Sequence, residues 1–453
     1  MNLPNYFLAD LPPEATLTAE TITAACQTLK QNRARFLATR PTERLAATLA
    51  EVARSWRQPQ NPFRQRALAL GPAATGFGPA TLAAGLDAFF GALTLEALET
   101  LLVQDLGHAR RLDRLSASHP EQGTERAALA RAPELLVHIT GGRLPSPALA
   151  SMVLGVLAGS AQFVKCASGT ALIPRLFAHS LYEADPKLGA CLEIAEWKGG
   201  AASLESALFA EADCVTATGN DETLAAVRGR LPGWARFLGY GHRLSFGYLT
   251  REALSGANPG LVVTRAAADV IAWNQLGCLS PHVFYVETKG RVLPEEFADL
   301  LATELAAGEQ THPRGPLPPD EAAAIASRRA FYEVRAAHSL ETRLWVSPGS
   351  TAWTVVYDAE PRFQVSCLNR FVHVKAVTDL ETALQGADPV RGHVSTVGVA
   401  ASEDQLPELA TQLARWGVSR VCPLGRMQTP PLAWRHDGRP SLGDLVAWTD
   451  WEQ

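Results

Sequence analysis

Apolar positions in the first third of the chain recur at helical spacing. Residues 18–37, 42–56 and 93–115 each carry apolar side chains three and four apart with charges between them, which predicts three helices. The stretches 59–62 (PQNP) and 71–79 (GPAATGFGP) punctuate them. From Leu135 the texture changes. Short apolar runs at 135–139, 162–165, 192–195 and 214–217 predict strands, and they alternate with helical stretches at 148–157, 171–183 and 221–231. That alternation predicts a parallel sheet with crossover helices, an α/β fold that places ligands at the strand ends. Further strands are expected at 244–248, 283–286, 343–346, 353–357, 371–377 and 394–399, with helices at 266–273, 294–307, 319–337 and 405–416.

One junction in this pattern carries candidate chemistry. The helix 266–273 runs into Asn274-Gln275-Leu276-Gly277-Cys278-Leu279-Ser280-Pro281, and a strand follows. Gly277 is expected to end the helix, because glycine takes positive φ without a Cβ penalty. Cys278 then sits on a sharp turn between two elements, where a thiol is presented to a cleft. The competing reading is a small buried hydrophobe, the ordinary state of a lone cysteine in an apolar stretch.

Composition narrows the class. A chain of 453 residues suggests two or three domains. A net charge of −5 without a long basic run argues against nucleic acid as the main partner, while leaving room for a local basic pocket around a phosphorylated cofactor. The seven cysteines have no CxxC or other metal-ligand spacing, so no metal site is expected, and their scatter suits reduced thiols in a cytoplasm. The N-terminal residues have neither a basic nor an apolar signal region, so no signal peptide is expected. Residues 147–164 are strongly apolar, but Ser151, Gly155, Gly159, Ser160 and Gln162 interrupt them; a buried helix running into a strand is expected, not a membrane span.

Phosphate-binding signals are indirect. GxGxxG is absent. Lys165 ends a strand, where an ammonium meets ribose hydroxyls or a phosphate. Thr218-Gly219-Asn220 opens a helix whose free N–H groups favour a phosphate. Solvation of the lysine and simple capping by Asn220 are the alternatives. His242, flanked by Gly241 and Arg243, suits either a cleft or a solvated turn. His436-Asp437 reads either as a base with its orienter or as a surface turn closed by Gly438.

The order of these features resembles the aldehyde dehydrogenase superfamily and, more closely, the LuxC acyl-CoA reductase family. The residues that carry the closer likeness are Leu144-Pro145-Ser146-Pro147, Phe163-Val164-Lys165, residues 176–181 (LFAHSL), Asp185-Pro186, Leu188-Gly189 and residues 197–200 (WKGG). Gly239-Tyr240-Gly241-His242-Arg243, Cys278-Leu279-Ser280-Pro281, residues 422–428 (CPLGRMQ), 434–438 (WRHDG) and 448–452 (WTDWE) continue it. The likeness is good over 135–453 and loose before that.

The resemblance implies an aldehyde dehydrogenase-like α/β fold with four parts. These are a helical N-terminal region (1–135), an open-sheet NADP(H)-binding domain (136–262), a catalytic domain (263–415) and a C-terminal segment (416–453). It implies reduction of a long-chain acyl thioester to an aldehyde with NADPH, through an acyl group carried on Cys278. His242 would give acid/base or thiolate support. Lys165, Ser168, Thr218, Gly219 and Asn220 would hold the cofactor. Ser168 stands where the superfamily carries an acid, so a 2′-phosphate is tolerated and NADPH is favoured. Leu238 stands where hydrolytic members carry their water-activating Glu, and Pro145 falls near the Asn of their oxyanion hole. The implied partners are acyl-CoA or an acyl-carrying protein, an acyl-protein synthetase or acyltransferase, and further copies of the chain in a dimer or tetramer. Acyl-phosphate reduction, cofactor-free acyl transfer or thioester hydrolysis by the same thiol, and a non-enzymatic acyl-binding role are the alternatives.

Overall fold

A computed structural model describes residues 3–12 and 14–452. The chain divides into two compact units. The first comprises Met1–Thr75, Leu86–Gly241 and Pro431–Gln453; the second comprises Gly76–Gly85 and His242–Pro430.

The first unit holds strands β1 (Arg126–Arg131), β2 (Leu135–Thr140), β3 (Ala161–Cys166), β4 (Leu192–Glu196), β5 (Cys214–Thr218) and β6 (Arg236–Tyr240). Strands β2 to β6 form one parallel sheet in the order β4-β3-β2-β5-β6. Strands β2 and β3 are buried along their whole length, as expected of a sheet covered on both faces. Helix Ala19–Phe36 and helix Ala202–Glu211 pack Ile22, Cys26, Leu29, Leu208 and Phe209 against Val137, Phe163 and Val215. A ladder of polar side chains crosses the sheet interior: His138 Nδ1 meets Thr216 Oγ1 at 2.7 Å, and its Nε2 meets Gln162 Oε1 at 3.0 Å. Burial pushes His138 down to about 4, so it stays neutral.

The second unit holds β7 (Leu244–Leu249), β8 (Pro281–Glu287), β9 (Thr342–Val346), β10 (Thr354–Asp358), β11 (Phe371–Val377), β12 (Val394–Ala400) and β13 (Arg420–Pro423). They form a seven-stranded sheet, β13-β12-β7-β8-β11-β10-β9, with only β9 antiparallel. Helices Pro259–Ile271 and Pro294–Thr311 cover one face through Val263, Ala267, Val270, Phe297 and Leu301, which pack on Phe284, Val286 and Val374. Helices Leu380–Ala387 and Leu406–Trp416 cover the other, around Phe246, Tyr285 and Val397. The first unit also carries a separate ribbon, β1 paired antiparallel with β14 (Ala447–Glu452). No helix among the described residues is long and apolar enough to cross a membrane.

Candidate active site

Helix Pro259–Ile271 starts with Asn258 as its cap and ends earlier than its apolar pattern suggests. The chain then reverses at Trp273, Asn274 and Gln275, with φ of 51°, 52° and 64°. The positive-φ stop expected at Gly277 is therefore made by three residues that carry side chains. Each such residue costs about 1–3 kcal/mol, so tertiary bonds must over-determine the turn.

Those bonds are present. Gln275 is fully buried, and its Nε2 donates to Pro281 O (2.8 Å) and Phe371 O (2.9 Å), tying the turn to the starts of β8 and β11. Asn274 Nδ2 donates to Arg314 O (3.0 Å), and Asn274 Oδ1 accepts from Arg370 Nη2 (2.8 Å). Trp273 lies edge-on to Phe77, with ring centroids 5.1 Å apart. Beyond the turn, Ser280 N donates to Gly277 O (2.9 Å), and Ser245 Oγ donates to Cys278 O (2.7 Å). Gln428 Nε2 donates to Ser280 Oγ (2.5 Å). Asp269, on the helix that leads into the turn, accepts from Gly425 N (2.6 Å) and Met427 N (3.0 Å). The CPLGRMQ motif of the C-terminal segment is thus folded onto the helix and turn around Cys278.

Of the seven cysteines, all among the described residues, Cys278 alone is exposed. Burial pushes Cys26, Cys191 and Cys214 up to about 12, and Cys166, Cys367 and Cys422 up to about 11. His242 is also exposed. It lies three residues before Ser245, and Cys278 lies three before Pro281, which pairs with Ser245 in the parallel ladder. The two candidates therefore stand at the same end of neighbouring strands. A register shift at this point leaves His282 as an extra residue of β8. His282 Nδ1 accepts from Ser366 N (3.1 Å); burial, and then the charge of His242, push it down to about 4. His282 was not singled out by the sequence pattern, which shows it only as one residue of an apolar strand.

In the first unit, the candidate cofactor residues gather at the C-terminal ends of β3 and β5, with β2 between them. Lys165 is only 4% exposed, and its ammonium lies 5.8 Å from the centre of the Trp197 ring. Burial lowers its pKa, against the raising influence of Glu205, Cys166 and Glu196. Thr218 Oγ1 accepts from Gly141 N (3.4 Å). Asn220 caps helix Asp221–Arg228 by accepting from Thr223 N (2.9 Å). Ser168 is exposed in the loop after β3. Glu196, at the end of β4, accepts from Gly169 N (2.7 Å) and Ala171 N (3.1 Å), so an acid does approach this loop, from the next strand. A small cavity beside it is lined by Thr140, Gly142, Arg143, Pro145, Thr170 and Pro174. Leu238 is buried in β6. His436 and Asp437 lie in a short turn, with φ of 53° at Asp437 and 75° at Gly438, and His436 stacks on Tyr240 at 4.4 Å.

The comparisons with known proteins agree with this architecture. The putative aldehyde dehydrogenase PutA of Anabaena variabilis superposes with a TM-score of 0.68 at 15% identity, over 96% of this chain and 93% of that one. A NAD-dependent benzaldehyde dehydrogenase of Corynebacterium glutamicum gives 0.70 at 13% identity, over 97% and 90%. A bifunctional proline utilization A protein gives 0.73 at 17% identity over 98% of this chain, which spans only 45% of that longer protein. These likenesses show an aldehyde dehydrogenase-like fold. No curated protein matches the sequence significantly. The family model described as acyl-CoA reductase (LuxC) matches residues 37–448. An oxidoreductase acting on aldehydes or acyl groups is what that match and fold support, and the chain belongs to the LuxC acyl-CoA reductase family.

Proposed function

We propose that this protein reduces long-chain acyl thioesters, on coenzyme A or a carrier protein, to aldehydes with NADPH through an acyl group carried on Cys278. The observation that carries the reading is the exposed thiol on a turn locked by side-chain bonds, in a chain whose other thiols are partly or fully buried. In this reading Cys278 Sγ attacks the thioester carbonyl as thiolate. The new carbon–sulfur bond forms and the old one breaks, releasing the carrier's thiolate, which takes up a proton. NADPH, when bound, supplies the hydride that reduces the acyl carbon. The bond to Cys278 then breaks, freeing the aldehyde and the thiolate. Splitting one hard substitution into two easier steps is the gain of covalent catalysis.

His242, at the same strand ends as Cys278, is the acid/base or thiolate-supporting group. Ser280 N–H is spent on Gly277 O, so the oxyanion donor comes from the rest of the turn. Leu238 brings no carboxylate to activate water, which protects the acyl group for reduction. The first unit holds the cofactor: Lys165 toward the ribose, Ser168 toward the 2′-phosphate, and the Thr218-Gly219-Asn220 turn toward the pyrophosphate. The fit of Lys165 rests on its ammonium, nearly buried above a Trp ring at a strand end. Glu196 lends its lone pairs to two backbone amides, which lowers its repulsion of a 2′-phosphate.

The test is NADPH oxidation with long-chain acyl-CoA, wild type beside Cys278→Ala, with NADH run in parallel. Turnover in the wild type, loss of at least about 10³-fold in the variant and a mass increment of one acyl group on Cys278 are expected. Full activity in Cys278→Ala would overturn the covalent route, and equal use of NADH would overturn the role given to Ser168.

A further inference from the structure

Buried in the second unit is an arginine that the proposed reaction does not use directly. Arg370 is fully enclosed. Its Nη1 donates to Glu309 Oε2 (2.7 Å), and its Nη2 donates to His312 O (2.7 Å) and to Asn274 Oδ1 (2.8 Å). It closes a second run of left-handed residues, Leu368, Asn369 and Arg370, with φ of 63°, 56° and 66°. The first such run, Trp273 to Gln275, ends three residues before Cys278. Two side-chain bonds tie the runs together, Arg370 to Asn274 and Gln275 to the carbonyl of Phe371, the residue just after the second run. One guanidinium fork thus links the end of helix Pro294–Thr311, the turn before β11 and the turn before Cys278.

We infer that Arg370 is a positioning residue for Cys278, acting through Asn274 to hold the nucleophile turn in its left-handed form. The inference rests on the reading of Cys278 as the nucleophile. The geometry explains why an arginine is used. Three acceptors on two segments, the end of helix Pro294–Thr311 and the turn before Cys278, need the spread of a planar fork, and a lysine ammonium is a point charge that cannot meet them in the same way. Asn274 needs both of its polar ends, Oδ1 toward Arg370 and Nδ2 toward Arg314 O, so its orientation is fixed. A turn released from this clamp leaves the thiol displaced from its attack position, and about 1 Å of displacement costs on the order of 10²-fold in rate.

The experiment follows Cys278 itself. Iodoacetamide alkylation, located by mass spectrometry and measured from pH 6 to 9, is compared in wild type, Arg370→Lys, Asn274→Gly and the double variant, with kcat and KM for acyl-CoA and NADPH. Glycine at 274 accepts positive φ, so Asn274→Gly keeps the backbone and removes both side-chain bonds of Asn274, to Arg370 and to Arg314 O. The expected result is a fall in kcat of about 10- to 100-fold in each single variant, KM within about twofold, and a displaced pH profile of alkylation. The double variant should lose no more than the worse single one, because the two residues act as one unit. Additive losses, or unchanged alkylation and kcat in Asn274→Gly, would overturn the inference. If Arg370→Lys does not fold, the Asn274→Gly comparison decides alone. Alkylation needs no acyl substrate: a wild type that alkylates at Cys278 but turns over no thioester would defeat the proposed function and leave this test standing.

Discussion

Lys165, proposed to bind the cofactor, carries a charge whose burial works against stability. Its ammonium is nearly buried, its pKa is lowered by that burial, and among the described residues no carboxylate is paired with it. Such a charge is costly unless a ligand completes its surroundings. Lys165→Met should therefore raise the Kd for NADPH about 10- to 100-fold, the worth of one charge-assisted hydrogen bond. The melting temperature without cofactor should stay level or rise. Titration of NADPH by tryptophan fluorescence beside a thermal melt reads both. Unchanged affinity would remove Lys165 from the proposed cofactor site, and a fall in melting temperature would show that the lysine is structural. The sequence placed this lysine at a strand end, but the Trp197 ring beside it could not be read from spacing, because it arrives from β4.

At the scale of elements, the alternation of apolar strands and helices was legible because burial on both faces leaves long apolar runs. Four features were not, each for a physical reason. The helix expected over 93–115 stops at Leu106, where Gly107 takes a left-handed φ of 75°. Helix Pro62–Thr75 continues through Gly71-Pro72, which read as punctuation; Pro72 lies in its last turn, so its lost N–H bond and its ring disturb only the end of the helix. Strands β1 and β14 pair across more than 300 residues, and their mostly exposed sides lack the apolar runs that mark the sheet strands. The turn before Cys278 is left-handed through bonds with Arg314, Arg370 and β11, none of them local in sequence. A packing test belongs at this scale. Gly155, inside helix Ser146–Ala158, lies against the Gln162 side chain that holds His138, and a Cβ there would overlap all three atoms of that amide. Alanine gains about 1 kcal/mol in helix propensity, but overpacking a fixed buried group costs about 1–3 kcal/mol. Because the overlap is with a pinned amide, Gly155→Ala should be net destabilising, by about 1–2 kcal/mol in urea unfolding. A stabilised variant would show that Gln162 is free to move.

Across the whole molecule, buried titratable groups set how stability depends on pH. His138 in the first unit and His282 in the second are pushed down to about 4 by burial, and His373 is also pushed well below its usual value. Between pH 4 and about 6.5 the unfolded chain takes up protons at these positions and the folded protein does not, so their contribution is present above 6.5 and is lost on acidification. Two carboxyls act in the opposite sense. Burial pushes Glu193 up to about 8, against the N–H groups of Leu8 and Ile194 that favour its ionised form, and pushes Asp269 up to about 7. The folded protein then holds protons that the unfolded chain has released above about pH 4.3. Between about pH 4.3 and 6.5 the two sets oppose each other, three histidines against two carboxyls, which leaves a net rise of stability with pH of about one proton. Above 6.5 the carboxyls remain, joined toward pH 8.5 by the six thiols that burial keeps protonated in the folded protein, and stability must fall as pH rises. For Glu193 alone the loss between pH 6.5 and 8.5 is about 2 kcal/mol. Glu193→Gln keeps the shape and an acceptor for Leu8 and Ile194 while removing the titration. Urea unfolding at pH 6.5, 7.5 and 8.5 should show a decline in the wild type that is shallower by close to one proton in the variant. Parallel declines in the two proteins would mean that Glu193 is ionised when folded, with its two N–H partners outweighing its burial.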